Sequence, residues 1–428
     1  MDISKKILSD PVNRWVFNNG KKDIFIVGGY IRDILLGKKT KDKDFVLKKN
    51  AKKIAIKAAK KFNGTFIIFR NGTIYRVVIK HKKGAARQGQ LISGVREVLD
   101  FSNLTTSINN DLKDRDFTIN AIAWSPETGI IDPAGGRKDL KNKIVTAVRA
   151  KNLGNDPLRT IRAYRIAAEL GFRIEKHTRE KIKRYARGLT NVAPERITEE
   201  FFKILSNNNS FKYLLEFYKD KVLDKILNTR DVGNSNILSR KIKFLGDFDS
   251  FLKKECLRIP EGKKITAQLN EEISQYLNRI GLLRLALLLT GGIITIGRLK
   301  ISKNINKALR DIHNVYNEVV LKRSRTIKKI SHEELYKTFS AAGDRVLETA
   351  IILSFLTGKN LKWVLKKAHE FLVVKNKIIL NGNDIQKLLK IDTGIVIGKI
   401  LSTLKEQQFS GSIKTKAEAK RWLAGYFT

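Results

Sequence analysis

The sequence contains one cysteine, Cys256, and five scattered histidines. A single cysteine excludes a disulfide within the chain and fits a reducing compartment. No group of cysteines and histidines has the spacing of a zinc site. We therefore expect the protein to bind no zinc.

Long apolar runs are also lacking. The longest apolar stretch, Gly281 to Ile296, is interrupted by Arg284 and by Gly291-Gly292, and it is too short to span a bilayer. The first residues, MDISKKILSDPVNRW, have neither the apolar core of a signal peptide nor the Ser/Arg-rich character of a transit sequence. We expect a cytoplasmic protein that does not enter a membrane.

Acidic residues are scarce relative to basic ones. The chain has 42 Asp and Glu against 85 Lys and Arg, which gives a formal charge of +43. Such a charge attracts polyanions and makes their binding depend steeply on salt. A lysine-rich composition can also be common to all the proteins that a genome encodes. With 428 residues, 42% of them apolar, the chain is long enough for two or three globular domains.

The segment from Ile24 to Leu47, IFIVGGYIRDILLGKKTKDKDFVL, is the most informative part of the chain. Its initial apolar run predicts a buried strand that ends at Gly28-Gly29, and a short helical pattern follows, Tyr30 to Leu36. Glycines let the backbone approach a phosphate closely and leave N–H groups directed at it. With the nearby cation Arg32, this turn predicts phosphate binding.

Two acids, Asp42 and Asp44, come next and run into the apolar residues Phe45 to Leu47. If they lie on one strand, both side chains point to the same face. Adjacent carboxylates repel each other unless a cation lies between them, and Mg²⁺ is the natural ion for oxygen ligands. A plain strand–turn–helix with a solvated acidic turn is the alternative, but the order and spacing of the two glycines and the two acids favour a nucleotide site.

Further motifs follow in order along the chain: RDFTINAIA (Arg115 to Ala123), DPAGGRKDL (Asp132 to Leu140), NDPLRTIRAYRIAAELGF (Asn155 to Phe172) and PERITEEFFKIL (Pro194 to Leu205). Together with GGYIRDILLG and KDKDFVL, they resemble the signature motifs of class II tRNA nucleotidyltransferases and bacterial poly(A) polymerases. Beyond residue 205 the resemblance is diffuse, although the end of the chain is similar to the tail with which that family touches tRNA.

The resemblance implies that an RNA 3′-hydroxyl attacks the α-phosphate of CTP or ATP, so that C, A or both are added to the 3′ end of tRNA. It implies that Asp42 and Asp44 hold two Mg²⁺ ions. The residues implied to bind the nucleotide near the glycine turn are Gly28, Gly29, Arg32 and Arg115. Asp116 is the best candidate for a third catalytic carboxylate, and an ion pair between Asp116 and Arg115 is the alternative.

The fourth motif is expected to select the base. Asp156, Arg159, Arg162 and Arg165 recur every three residues, so they drift slowly round one helical face. A carboxylate accepts from the amino group of cytosine or adenine and repels the carbonyl of uracil or guanine, while a guanidinium donates to ring acceptors. In the resembling family, the pair at Asp156 and Arg159 selects C and A, and Arg162 and Arg165 help to hold phosphate and base. A salt-bridged amphipathic helix is the alternative.

The fifth motif carries Glu195 and Glu199, which either pair on the surface or brace the arginines of the fourth motif; the resemblance favours the brace.

Two positions depart from the family pattern. Asn155 stands where Glu is usual, and Asp114 stands where a second arginine is common.

Two absences narrow the activity. Several relatives carry a metal-binding His-Asp pair after a run such as Leu283–Leu289, but here Thr290-Gly291-Gly292 follows, so we expect no phosphohydrolase activity. The segment 102–109 is shorter than in relatives that add the full CCA, which leads to the hypothesis of a CC-adding enzyme. A poly(A) polymerase and an inactive RNA-binding homologue are the rival interpretations, and the oligomeric state stays open.

The expected fold class is α+β: a small mixed-sheet head followed by a helical neck, body and tail, at residues 1–137, 138–205, 206–300 and 301–428. Strands are predicted at Ile24–Val27, Asp44–Leu47, Thr65–Phe69, Ile74–Ile79, Val98–Phe101 and Ile119–Trp124. Helices are predicted at Tyr30–Leu36, Ala51–Lys61, Leu158–Leu170, Arg179–Arg187, Thr198–Leu205, Leu214–Leu227, Ile273–Leu289, Ile305–Val320 and Arg345–Phe355. Loops are predicted near 206–210 and 232–236.

Overall fold

The computed structural model describes residues 3–20, 24–38, 40, 42–69, 72–80, 96–229, 236–290, 294–320, 330–391 and 394–426. They form two compact units, one within residues 1–200 and 219–225, the other within 201–218 and 226–428. The division into head, neck, body and tail stays a prediction. The predicted loop near 232–236 lies outside the described residues, except for Asn236.

A seven-stranded sheet forms the head. Its strands are β1 (Ile24–Val27), β2 (Asp42–Leu47), β3 (Thr65–Phe69), β4 (Ile74–Lys80), β5 (Arg96–Asn103), β6 (Ala123–Ser125) and β7 (Gly129–Ile131). They are arranged in the order β3-β4-β5-β2-β1-β6-β7. Strands β2 and β5 run parallel, while the other neighbours are antiparallel. The predicted mixed sheet is therefore confirmed.

The first unit also contains helices, and the last of them continues into the second unit at Phe201. They are α1 (Ile3–Leu8), α2 (Pro11–Gly20), α3 (Gly29–Leu35), α4 (Ala51–Lys61), α5 (Ile108–Lys113), α6 (Gly136–Asn142), α7 (Ala150–Asn155), α8 (Leu158–Leu170), α9 (Lys176–Tyr185) and α10 (Pro194–Leu205). Two short strands, β8 (Ile144–Val145) and β9 (Arg173–Ile174), pair in parallel.

The second unit is mainly helical. Its helices are α11 (Ser210–Lys219), α12 (Asn236–Arg258), α13 (Gly262–Leu269), α14 (Arg279–Leu289), α15 (Lys303–Val320), α16 (His332–Ala341), α17 (Val346–Thr357), α18 (Leu361–Asn376), α19 (Gly382–Leu389), α20 (Ile395–Ser410) and α21 (Lys416–Tyr426). Its short strands are β10 (Asn228–Thr229), β11 (Glu272–Ser274), β12 (Leu277–Asn278) and β13 (Ile294–Thr295). The predicted α+β class is confirmed.

Each face of the head sheet has its own apolar core near β1 and β2. On one face, Phe45 stacks on Phe101 at 5.2 Å between ring centroids, and Phe17 of α2 contacts both Phe45 and Trp124 edge-on. On the other face, Phe25, Val27 and Val46 pack with Leu112, Ala121 and Ala123. Strand β2 is thus held on both sides of its apolar half, which leaves its N-terminal half free to carry polar side chains.

Three predicted elements are wrong in part. The helix predicted at Leu214–Leu227 ends at Lys219, and a 3₁₀ turn, Leu223–Lys225, follows it. Residues 119–124 alternate like a strand, but residues Thr118–Asn120 form a 3₁₀ turn and only Ala123–Ser125 is extended. Residues 273–289 were predicted as one helix, yet β11 and β12 form a hairpin before α14 begins at Arg279. The backbone of Tyr276 turns at φ 69°, a conformation that the apolar pattern does not signal.

Candidate active site

Asp42 and Asp44 lie on the same, exposed face of β2, as the sequence predicts. The residue between them, Lys43, points to the opposite side and is 1% exposed. Its ammonium donates to Asp10 Oδ2 at 2.8 Å and forms a second ion pair with Glu97. The buried lysine therefore fixes the strand and turns both acids outward.

Asp44 lies in an electrostatic environment that disfavours its charge. Although the residue is exposed, nearby protein displaces enough water that desolvation raises the pKa of its carboxyl to about 6. Arg115 lowers that pKa, whereas Asp100 and Asp42 raise it and Arg76 lowers it. The acids together leave negative charge that a cation would neutralise.

Asp100 lies in the same cluster of acids, although none of the sequence motifs contains it. The parallel pairing of β2 with β5 sets Asp44 directly beside Asp100. Asp100 accepts two hydrogen bonds from Arg76, each 2.7 Å long. The available signal was a single acid inside the apolar strand Val98–Phe101, but the neighbour of that strand cannot be identified from sequence alone.

The glycine turn meets the acids at the end of β1. Gly28 has φ 73°, a conformation that favours glycine, and a Cβ built on it would lie 2.8 Å from Arg115 Nη1 and 3.7 Å from Asp44 Oδ2. A side chain here would therefore intrude between Arg115 and Asp44. Arg115 also pairs with Asp111 at 3.1 Å.

Arg32 is held beside the same turn. Its Nη1 donates to Asn120 Oδ1 at 2.7 Å, and its Nε donates to Asp33 at 2.8 Å. A Cβ on Gly29 would lie 3.5 Å from Arg32 Nη2. The structure thus places Gly28 beside Arg115 and Asp44, and Gly29 beside Arg32, at the end of β1.

Asp116 pairs with Arg162 of α8, while its neighbour Arg115 pairs with Asp111. Its Oδ2 accepts from Arg162 Nε and Nη2 at 2.9 and 2.7 Å, and its Oδ1 accepts from Asn120 and from the backbone N–H of Phe117. Burial alone would raise the pKa of Asp116, but Arg162 and these donors hold it well below its usual range. A catalytic role for Asp116 stays a prediction; what the geometry shows is a charged link between the head and α8.

The four residues of the fourth motif divide between two elements. Arg159, Arg162 and Arg165 lie on α8, while Asp156 ends α7 before that helix begins. Arg159 Nη1 donates to the backbone carbonyls of Asp114 at 2.9 Å and Asn152 at 3.3 Å. Asp156 Oδ2 accepts from Arg196 of α10 at 3.0 Å.

Helix α10 braces these arginines, chiefly through a residue that the sequence reasoning did not choose. Glu200 is 4% exposed, accepts from Arg165 Nε at 2.6 Å, and lies 3.6 Å from Arg162 Nη1. Arg165 also pairs with Glu169. The brace expected at Glu195 and Glu199 is therefore provided in these contacts by Glu200, with Arg196 adding the bond to Asp156.

The donor set at β2 suits a hard cation, since it consists of the carboxylate oxygens of two acids on one face of the strand. In the described ranges, no group of three or more His, Cys, Asp or Glu residues is arranged to hold a metal ion. Mg²⁺ is usually bound through one or two carboxylates together with substrate phosphates and water, so a pair of acids is sufficient.

The remaining expectations concern absences. No helix in the part of the chain that the structure describes is long and apolar enough to cross a membrane. Cys256 is a free thiol. Gly291 and Gly292, used to argue against a phosphohydrolase site, lie outside the described residues, and that expectation stays a prediction.

Family models match two parts of the chain. The model described as the poly A polymerase head domain matches residues 24–146, and the model described as a probable RNA and SrmB-binding site of polymerase A matches residues 171–230. The first match covers β1, β2 and the glycine turn. The second covers α9 and α10.

Curated relatives extend the similarity to most of the chain. A CC-adding tRNA nucleotidyltransferase of Geobacter sulfurreducens is 28% identical over 416 residues, which are 94% of this chain and 91% of that protein. Poly(A) polymerase I of Escherichia coli O157:H7 is 30% identical over 232 residues, 50% of this chain and 50% of that protein.

Solved structures share the fold. The Thermotoga maritima CCA-adding enzyme complexed with tRNA has a TM-score of 0.67 at 20% identity, covering 100% of this chain and 99% of that chain. A CCA-adding enzyme complexed with ATP has a TM-score of 0.69 at 22% identity, covering 100% and 98%. One complexed with CTP has a TM-score of 0.65 at 20% identity, covering 100% and 99%.

Proposed function

Because the chain belongs to the family of class II tRNA nucleotidyltransferases and bacterial poly(A) polymerases, we propose that it adds C, A or both to the 3′ end of tRNA, using CTP and ATP. The observation that carries this proposal is that Gly28 of the glycine turn lies beside both Arg115 and Asp44, on the strand face that also carries Asp42. An anionic pair beside a glycine turn and two cations is what a metal-bound triphosphate requires.

Asp42 and Asp44 would hold Mg²⁺. When bound there, the metal would lower the pKa of the attacking hydroxyl and stabilise charge on the leaving oxygens. The opposite side of the strand contributes rigidity, because buried Lys43 keeps the two carboxylates on one face.

Gly28, Gly29, Arg32 and Arg115 hold the triphosphate. The turn at Gly28 leaves room for phosphate where a side chain would clash with Arg115. Arg32 is oriented by Asn120 and Arg115 by Asp111, so neither guanidinium needs to be ordered when the nucleotide binds. Both arginines keep further N–H donors for phosphate oxygens.

Asp156 and Arg159 select the base, and Arg162 and Arg165 help to hold phosphate and base. Arg196 binds one oxygen of the Asp156 carboxylate, and this single contact leaves the other oxygen as an acceptor for an amino group. Cytosine and adenine present such a group at the edge where uracil and guanine present a carbonyl. The site therefore selects C and A without a nucleic-acid template.

Poly(A) polymerase is the less favoured activity. The poly(A) polymerase relative matches half of the chain, whereas the CC-adding relative matches 94% of it. The restriction to CC addition is a finer proposal. It rests on the short segment between β5 and α5, which consists of residues 104–107. The other connection near this edge of the sheet, from β4 to β5, includes residues 81–95, which lie outside the described residues.

Incubation of the purified full chain with tRNA lacking its CCA end tests the activity. The reactions contain CTP alone, ATP alone or both, with Mg²⁺, and the products are resolved at single-nucleotide length. CC or CCA addition supports the proposal, and a product that ends at CC with both nucleotides supports the restricted activity. Long oligo(A) tails would identify a poly(A) polymerase, and no product in any mixture would indicate an inactive RNA-binding protein.

The variant Asp42→Ala tests the role of this acid as a metal ligand. It should abolish addition while tRNA affinity stays within several-fold of that of the wild type, because the acid acts on the metal and not on the RNA body. A parallel loss of tRNA binding would contradict the role of Asp42 as a metal ligand.

A further inference from the structure

The face of the sheet that carries the two acids continues past them to the edge strand. Strand pairing sets Asp44 beside Asp100, Asp100 beside Arg76, and Arg76 beside Ile67. Directly paired residues point to the same face, so these side chains form one row across β2, β5, β4 and β3. With about 4.8 Å between neighbouring strands, the row places Ile67 about 14 Å from Asp44.

Among the described residues, the side chains of β3 and β4 on this face are partly or fully exposed. Val77 and Ile79 are buried on the opposite face, whereas Ile74, Arg76 and Val78 are only partly buried. Ile67 is 37% exposed and Phe69 is 41% exposed, and both side chains lie on the same face of the sheet as Asp44. Ile67, Phe69 and Arg76 together form what we call the apolar shelf.

The chemistry of the apolar shelf suits unpaired bases. The guanidinium of Arg76 lies 4.7 Å from the centroid of the Phe69 ring. An exposed aromatic ring combined with an arginine is the usual platform on which proteins stack single-stranded bases. Arg76 also forms a two-bond pair with Asp100, which neutralises the acid nearest to the shelf and reduces its repulsion of phosphates.

We propose that the apolar shelf binds the unpaired nucleotides just upstream of the RNA 3′ end, so that the terminal hydroxyl reaches Asp42 and Asp44. This inference rests on the proposed function and identifies a subsite for the RNA. A distance of about 14 Å is one that a few unpaired nucleotides span, at about 3.4 Å per stacked residue.

A second copy of the chain is the competing occupant, because an exposed edge strand can pair with another strand. Charge favours RNA. Two copies that each carry +43 repel one another, while the same charge attracts a polyanion. Two residues of the shelf, Arg76 and Ile67, also lie in one row with Asp44, a position that strand pairing between two copies does not require.

The test compares Phe69→Ala with Ile68→Ala in the full chain. Ile68 is a matched control, since it lies on the same strand, is 52% exposed and points to the opposite face. The substrate is a tRNA that ends in CC and carries 2-aminopurine next to its 3′-terminal nucleotide. The wild type and Ile68→Ala should quench the fluorescence on binding, and Phe69→Ala should lose the quenching.

Steady-state kinetics provide the second readout. For Phe69→Ala the KM for this tRNA should rise about tenfold or more, within the range found when a stacking residue is truncated, while the Kd for CTP should not change. Phe69→Trp should retain the quenching. Phe69→Leu preserves apolar volume without the ring and should lose it, which separates stacking from any effect on folding.

Equal quenching and equal KM in the wild type, Phe69→Ala and Phe69→Leu would overturn the inference, as would equal losses in Phe69→Ala and Ile68→Ala. A dimer in light scattering that either substitution dissociates would assign the edge to a second copy instead. Failure of the proposed function is distinguishable, because it appears as absence of nucleotide addition by the wild type, whereas the fluorescence change needs no addition.

Discussion

The aspartates of the head differ in whether an arginine pairs with them. Asp116 is bound by Arg162 and Asp100 by Arg76, each through two hydrogen bonds. Asp44 has a raised pKa because desolvation and neighbouring acids outweigh the effect of Arg115. The sequence motif identified Asp42 and Asp44, but Asp100 depends on a pairing between strands that are distant in sequence, and no local pattern encodes that pairing.

Asp44→Asn should stabilise the fold at neutral pH while it abolishes nucleotide addition. The folded-state pKa of about 6 exceeds the ordinary value of 3.8, so the folded chain holds this proton more tightly than the unfolded chain. Stability falls as the pH rises from about 4 to about 6, and the deficit persists at higher pH. Replacing the carboxyl removes this deficit in stability. The gain should be modest, because solvent reaches the site and screens the charge.

Thermal unfolding without divalent ions, at pH 4 and pH 7.5, measures this effect. The midpoint for Asp44→Asn should exceed that of the wild type at pH 7.5, and the two should converge at pH 4. Asp247→Asn, at an exposed acid of α12, is the control. Added Mg²⁺ should raise the midpoint of the wild type more at pH 7.5 than at pH 5, because protons compete for Asp44. A midpoint for Asp44→Asn that stays below that of the wild type at both pH values contradicts the prediction.

Asp156→Ala should relax the preference for C and A over U and G. The substitution removes the acceptor for the base amino group, and it also removes the repulsion that rejects a carbonyl. The measurement is kcat/KM for each of the four nucleoside triphosphates with one tRNA. Asn155→Ala, at the exposed neighbouring position, should keep the selectivity of the wild type. Unchanged selectivity in Asp156→Ala would remove this residue from base reading.

At the scale of elements, buried acids join α8 to the rest of the first unit. Arg162 lies between Asp116 and Glu200, and Arg165 lies between Glu200 and Glu169. The two arginines are raised in pKa because these acids outweigh the effect of burial on the cations. Helix α8 is therefore positioned by charge as well as by its apolar face.

Glu200→Gln should lower both stability and nucleotide use. It leaves Arg162 and Arg165 with one acid each, and we expect a loss of about 1–3 kcal/mol in the free energy of unfolding, because the arginines retain those partners. Urea unfolding gives the stability, and the KM for CTP gives the effect on binding. Glu199→Gln, one residue earlier on α10, is the comparison. A larger loss for Glu199→Gln would return the brace to the residue that the sequence suggested.

Apolar periodicity predicts several elements at the bounds that the structure has. The strand Ile24–Val27, the helix Ala51–Lys61 and the helix Leu158–Leu170 are examples. It fails where hydrogen bonds to distant segments of the chain decide the backbone. Thr118 Oγ1 donates to Asp139, and the backbone N–H of Thr118 donates to Thr146, which favours a turn in a segment that alternates like a strand. Such contacts join residues distant in sequence, and no window of residues reports them.

At the scale of the whole molecule, charge is the dominant property. The affinity for tRNA should fall steeply with salt, with a linear decrease of log K against log salt concentration, because phosphate contacts release counterions. Titration of labelled tRNA at several KCl concentrations measures the slope. Poly(A) of equal length, titrated alongside, shows how much of the slope is independent of RNA shape. A flat dependence would mean that the charge reflects composition alone.

The contact of Lys43 with Asp10 ties the catalytic strand to a segment that carries no motif. The family match begins at residue 24, so a fragment trimmed to that boundary would retain the glycine turn and both acids of β2. It would also leave a buried ammonium with one carboxylate, that of Glu97, where the intact chain provides two. The segment before residue 24 thus supplies one of the two carboxylates that compensate the lysine between Asp42 and Asp44, and trimming at the motif boundary would remove that carboxylate.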